Sequence, residues 1–147
     1  MELRKIRAAD WDWIQQWFLD EDLNRELGPL DQEWLDHVLS AADSIQLVAE
    51  QDKRPVALIG CVWGDGGDLP HAITDIAVDP ALRGTGQAKA IVQAVLAWPG
   101  HPPARRWVAF VFPENTRACH FFESLGWAHV ALVDQMNEYE FKLPTSL

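Results

Sequence analysis

The segment Val78-Asp79-Pro80-Ala81-Leu82-Arg83-Gly84-Thr85-Gly86-Gln87-Ala88 constrains this chain most, because two glycines must carry it from a strand into an amphipathic helix. Upstream, Ala72 to Val78 reads as a strand, with Ile76 and Val78 on one face, expected to contact the core, and Asp75 and Ala77 on the other. Downstream, a helix pattern runs from Thr85 to about Trp98 with Ala88, Ile91, Val92, Val95 and Leu96 on one face, and Pro99-Gly100 stops it. Glycine lets the backbone turn tightly and approach a ligand. Successive N–H groups at the positive end of a helix then suit an anion, with phosphate the natural guest. The spacing is neither a GxGxxG with an acid about 20 positions later nor a GxxxxGK followed by Ser or Thr, so the common dinucleotide and P-loop signatures are excluded.

A chain of 147 residues suits one domain, residues 1–147. Its start, MELRKIRAADWDW, has no basic stretch followed by an apolar run, and no segment approaches the ~20 apolar residues of a membrane span, so a cytoplasmic location is expected. Cys61 and Cys119 stand far apart without a CxxC partner, which suggests neither a disulfide framework nor a metal site. The net charge of −10 opposes broad binding to nucleic acid or an anionic membrane, since both need cations beside phosphates. Residues 1–52 hold 13 acids against 4 bases, and residues 53–147 hold 9 against 8. The excess acid therefore lies in the first third, where it forms a solvated surface and, secondarily, a field that attracts cationic ligands.

The remaining elements follow from spacing. After a short strand at Leu3 to Arg7, Asp10 is a good N-cap for a helix carrying Trp11, Ile14, Trp17 and Phe18. Gly28-Pro29 separates it from a second helix, capped by Asp31 and striped by Trp34, Leu35, Val38 and Leu39. Strands follow at Ile45 to Glu50 and Val56 to Trp63 around the polar turn 51–55, and again at Trp107 to Phe112. Asn115 caps a short helix with Ala118, Phe121, Phe122 and Leu125, ended near Gly126, before a hairpin of Val130 to Val133 and Tyr139 to Leu143.

Arg83, Gly86 and Ala88 meet the pattern R/Q-x-x-G-x-G/A, and the turn resembles the acyl-CoA pyrophosphate loop of the GNAT superfamily of N-acetyltransferases. The stretch from Asn115 through Ala118 and Phe122 to Gly126-Trp127 resembles that family's N-x-x-A-x-x-x-Y-x-x-x-G-F, with aromatic substitutions. The early segment 17–28 is similar to the first helices of the branch that acylates protein N-terminal amines or aminoglycosides. The order strand, two helices, three strands, helix, strand, helix, two strands also matches. The resemblance implies a mixed α/β fold whose central sheet splays between the strand ending at Val78 and the strand at Trp107 to Phe112.

What the family implies for the site is acetyl-CoA as cosubstrate, its pyrophosphate on the backbone amides of Arg83, Gly84, Thr85, Gly86, Gln87 and Ala88. Its pantetheine arm would run along Ile76, Ala77 and Val78. Asn115, Ala118, Phe121 and Phe122 would add contacts, and no metal is implied. The Ile76 N–H would polarise the thioester carbonyl. Of the cations Arg83, Lys89 and Arg117, Arg83 is favoured as the phosphate partner. Transfer to an amine needs its proton removed, for which Asp75 is the first candidate and His71 and Glu114 are weaker ones. The family's Tyr, which protonates the leaving thiolate, is replaced by Phe122; a thiolate is a tolerable leaving group, and water, Cys119 or no dedicated acid serves. The expected activity is acetyl transfer to a primary amine of a small molecule or a protein N-terminus by direct attack in a ternary complex, from a monomer or a homodimer. The alternative is a noncatalytic acyl-CoA-binding or protein-interaction module.

Overall fold

A buried carboxylate organises the start of the chain. The computed structural model describes residues 1–143, beginning with strand β1 (Glu2–Lys5) and a 3-10 turn at Ala8–Asp10. Asp10, only 3% exposed, accepts hydrogen bonds from Arg4 Nη1 (2.9 Å) and Nη2 (2.7 Å), from the Arg7 N–H (2.7 Å) and from Trp13 Nε1 (2.9 Å). Arg4 also donates through Nε to Glu50 (3.0 Å) on β2 (Ser44–Gln51), the antiparallel partner of β1. Asp10 does stand at the cap position of α1 (Trp11–Trp17), as its sequence position suggests, but its side chain makes no capping bond there. The guanidinium and the indole have taken its oxygens instead. Burial opposes the charge on Asp10, yet the bonds from Arg4, Arg7 and Trp13 outweigh it and hold the carboxyl below its ordinary range.

Where the sequence suggests two helices before the first hairpin, the structure has three. Phe18 and Leu19 leave the helix, Asp20 takes an extended conformation (φ −69°, ψ 128°), and its carboxylate accepts from the Leu23 N–H at 3.1 Å to start α2 (Glu21–Leu27). A side-chain cap at Asp20 thus divides one acidic helical stretch in two. Asp31 caps α3 (Gln32–Ser40) through the Trp34 N–H at 2.8 Å, as the sequence suggests. Ile14, Trp17, Leu23 and Leu35 from these helices bury against Ile6, Val48, Leu58 and Ala77, with Trp11, Trp13, Phe18 and Trp34 packed around them. Trp13 and Trp17 lie 4.6 Å apart and Trp11 and Trp34 6.1 Å, so these rings serve packing.

The remaining elements are β3 (Arg54–Val62), β4 (His71–Val78), α4 (Gln87–Ala97), β5 (Arg106–Val111), α5 (Thr116–Ser124), β6 (Ala128–Val133) and β7 (Met136–Lys142). The fold is mixed α/β. Strands follow the order β1-β2-β3-β4-β5-β7-β6, with β4 and β5 parallel and both β5–β7 and β6–β7 antiparallel. The β4–β5 register runs over three pairs, from His71↔Trp107 to Ile73↔Ala109. Asp52-Lys53 and Asp134-Gln135, all at positive φ, make the two tight hairpin turns.

The chain divides into two compact units, one of Met1–Cys61 with Asp75–Gly100 and one of Val62–Thr74 with the chain from His101 onward. The first holds α1–α4 and β1–β3 up to Cys61. The second holds β5–β7 and α5, whose core includes Trp107, Phe122, Trp127 and Tyr139. No helix among the described residues is long and apolar enough to cross a membrane.

Replacing Asp10 by Asn keeps the volume but removes the charge that Arg4 needs. We expect a loss of about 3 kcal/mol of unfolding free energy at pH 7, read by urea denaturation. Because the folded carboxyl titrates below its unfolded value of about 4, its contribution is present above that pH and fades as pH falls through the folded value. The gap between wild type and Asp10→Asn should therefore shrink in acid.

Candidate functional site

The turn after β4 is held by its own backbone and by one carboxylate. Asp79 N–H donates to Val56 O on β3 (2.9 Å), and Asp79 Oδ1 accepts from the Ala81 N–H (3.0 Å) to set a 3-10 turn at Pro80–Leu82. Thr85 returns to Leu82 O through both its N–H (3.2 Å) and its hydroxyl (2.6 Å). Gly84 (φ 76°) and Gly86 (φ 78°) are left-handed, and a Cβ built on either meets nothing within 4 Å. Glycine is required here by conformation, while the space over both residues is open. Because Gly86 is left-handed, α4 begins at Gln87 rather than Thr85.

Side chains cap α2, α3 and α5, but none caps α4. The first amides of a helix have no intrahelical acceptor, and an uncapped N-terminus beside open glycines offers them to an external anion. Lys89 is exposed close by. Arg83, the favoured cation, is already engaged: Nη1 donates to Asp20 Oδ1 at 3.1 Å, Nη2 to Asp20 Oδ2, and Asp22 Oδ2 lies 3.8 Å from Nη1. The Arg83 hydrogen bond, then the Leu23 N–H, brings the Asp20 carboxyl down to about 2. Nothing in the local sequence flags Asp20, 63 positions away; its only signal is that of a helix cap.

On β4 the core side is the reverse of the one expected. Ala77, 1% exposed, belongs to the helix-covered core, while Ile76 and Val78 are only half-buried on the other face. Ala77 packs in one cluster with Ile14, Trp17, Leu23 and Leu35 of α1, α2 and α3. Asp75, half-buried, shares the face of Ala77. Burial, with the nearby Asp75 charge adding to it, pushes the buried Cys61 thiol up to about 12. Cys61 therefore stays a protonated, inert thiol.

In the second unit, Asn115 Oδ1 caps α5 at the Ala118 N–H (3.2 Å), as its sequence position implies. Phe121 is half-buried and Phe122 buried, the latter 5.0 Å from Trp127 and stacked 6.0 Å from Tyr139, whose hydroxyl meets Glu123 Oε1 at 3.4 Å. The site Tyr of the family pattern is thus an apolar ring in an aromatic core. Cys119 is buried, within 3.7 Å of Phe112 O and 3.6 Å of Asn137 Nδ2. Arg117 and Glu114 are exposed. His71 is fully buried: Nδ1 accepts from the Gly64 N–H (2.8 Å) and Nε2 bonds Pro102 O (2.7 Å). Both ring nitrogens are occupied, so His71 has no lone pair left for a substrate proton.

A model of the acetyltransferase (GNAT) family matches residues 6–127. The chain belongs to this family. The GNAT match takes in both the glycine turn and the α5 segment through Trp127. Among curated relatives, an uncharacterised N-acetyltransferase, YfmK of Bacillus subtilis (strain 168), is 23% identical over 116 residues, 78% of this chain and 76% of the relative. The GNAT domain of S. lividans PAT has the same fold, with a TM-score of 0.75 at 21% identity over 96% of this chain and 89% of that one. So does a spermidine N-acetyltransferase from Vibrio cholerae in complex with CoA and spermine, with a TM-score of 0.71 at 14% identity over 95% of this chain and 92% of that one.

The turn makes a conformational expectation that is independent of ligand. Gly86→Ala introduces no contact but forces Ala to positive φ, and should cost roughly 1–3 kcal/mol in urea unfolding without altering the fold by circular dichroism.

Proposed function

We infer that the protein is an acetyl-CoA-dependent N-acetyltransferase acting on a primary amine, by direct attack in a ternary complex, with residues 1–147 as one domain. The observation that carries the reading is the uncapped start of α4 behind two left-handed glycines under open space, in a chain of the acetyltransferase family. Within residues 83–88 the amides of Gly84, Gly86, Gln87 and Ala88 take the pyrophosphate, since those of Arg83 and Thr85 already donate to Pro80 O and Leu82 O, and the main chain of Ile76, Ala77 and Val78 orients the pantetheine arm. Bound acetyl-CoA supplies an activated acyl thioester.

The chain's own contribution is mostly backbone. Ile76 N–H donates to the carbonyl oxygen as that oxygen gains charge, an arrangement that needs no side chain. Asp75 takes the proton from the attacking amine, directly or through water. With Phe122 apolar, no protein acid is assigned to the departing thiolate, whose ordinary acidity makes it a tolerable leaving group. An amine acceptor is favoured by the acidity of the first 52 residues. The solved GNAT neighbour holding spermine points to the same acceptor class.

Thermal unfolding with acetyl-CoA, CoA, NAD and ATP at matched ionic strength tests the cofactor. A ligand at 100 times its Kd should add about 2.7 kcal/mol, for acetyl-CoA and CoA alone. Gly86→Trp should abolish that shift while remaining folded; normal acetyl-CoA binding by this variant would refute the placement of the pyrophosphate. Thiol release across polyamines, aminoglycosides and peptide N-termini then tests turnover. Acetyl-CoA binding without release from any of them would indicate the noncatalytic module. Asp75→Asn should lower kcat by about 10²-fold or more and leave acetyl-CoA affinity nearly unchanged.

A further inference from the structure

We propose that Asp20 is a positioning residue for the cofactor turn: its carboxylate latches Arg83, and the pyrophosphate must displace it to recruit that guanidinium. The inference rests on the reading that residues 83–88 receive the pyrophosphate of acetyl-CoA. It adds a competitor, built into α2, that sets how tightly the turn holds its anion.

The geometry has the properties a latch needs. Both Asp20 oxygens face the fork of Arg83. Asp20 cannot swing away freely, because Oδ2 also accepts from the Leu23 N–H at 3.1 Å and so is fixed by the start of α2. Asp22 adds a second carboxylate at 3.8 Å. The partners are 63 residues apart, so the pair is a tertiary contact rather than local helix pairing.

The contact is also exchangeable. Arg83 is 39% and Asp20 25% exposed at the side chain, and ion pairs so open to water are weak. A pyrophosphate presents more charge and several oxygens to the planar guanidinium, and phosphate pairs with Arg in the same bidentate manner as carboxylate does. When Arg83 turns to phosphate, Asp20 keeps its bond to Leu23 and still caps α2, so opening the latch does not require unfolding the helix. Asp22 keeps its own partner, Arg25 Nη2, at 2.5 Å. Cofactor binding therefore leaves Asp20 as a carboxylate without its guanidinium on the acidic first turn of α2, where Glu21 and Asp22 follow it.

The test is calorimetric titration of acetyl-CoA, and separately of inorganic pyrophosphate, into wild type, Asp20→Asn, Glu21→Gln, Arg83→Gln and the double variant Asp20→Asn/Arg83→Gln. Asn is as good an N-cap as Asp, so Asp20→Asn removes the charge and spares α2. It should tighten both ligands about two- to fivefold, the range expected for release of an exposed ion pair. Glu21→Gln removes the same unit charge from the same turn and should have a clearly smaller effect. In the Arg83→Gln background the gain from Asp20→Asn should vanish, as a double-mutant cycle requires of two groups acting through each other. Equal effects of Asp20→Asn and Glu21→Gln, persistence of the gain without Arg83, or weaker binding by Asp20→Asn would each overturn the latch while leaving the cofactor reading intact. If wild type binds neither acetyl-CoA nor pyrophosphate, the cofactor reading and the latch fall together.

Discussion

The buried carboxylate of Asp10 is the interaction on which the first unit depends. One side chain joins β1 through Arg4, the turn through the Arg7 amide and α1 through the Trp13 indole. Such a charge is costly to bury alone and stable only when its oxygens are fully bonded, so its partners are held in one arrangement. That arrangement sends Ile14 and Trp17 of α1 toward Leu58 and Ala77. The core then takes Ala77 on its side of β4, leaving Ile76 and Val78 half-buried on the other face. The strand that leads into the glycine turn thus shares its core cluster, through Ala77, with the helix that Asp10 ties to β1.

Scarcity of cations gives the acidic part of the chain a second kind of order. Four bases serve 13 acids in residues 1–52, and Arg4 is shared between Asp10 and Glu50. Asp20 and Asp22 find Arg83 in the turn after β4, 63 positions from Asp20. The acidic start of α2 therefore draws its counter-charge from the glycine turn, the same guanidinium that the proposed pyrophosphate site would recruit.

Several features were legible because their causes are local. The glycine turn, the apolar stripe of Ile91, Val92 and Val95, and the caps at Asp31 and Asn115 each depend on residues within about one helical turn of one another. The family resemblance was legible for the same reason, since both of its motifs are short and ordered. Less was visible where a side chain had two local options or a distant partner. Asp10 sits in a cap position but was claimed by Arg4; Asp20 lay inside an apparent helical run and broke it. His71 looked like a loop base, yet Gly64 and Pro102 occupy both of its nitrogens. Phe122 shows the loss of a hydroxyl in sequence, but only its contacts with Trp127 and Tyr139 show that the ring serves an aromatic core.

By itself, the sequence determined the mixed α/β class, the family and the turn that must be glycine, because backbone conformation and helix amphipathicity are written in neighbouring residues. Tertiary structure decided which face of β4 is buried, which carboxylate is spent on Arg4 and which on Arg83, and which histidine is closed to solvent. Those outcomes depend on which groups meet after the chain has folded, and pairing between charges or buried polar atoms carries no signature at a fixed sequence spacing.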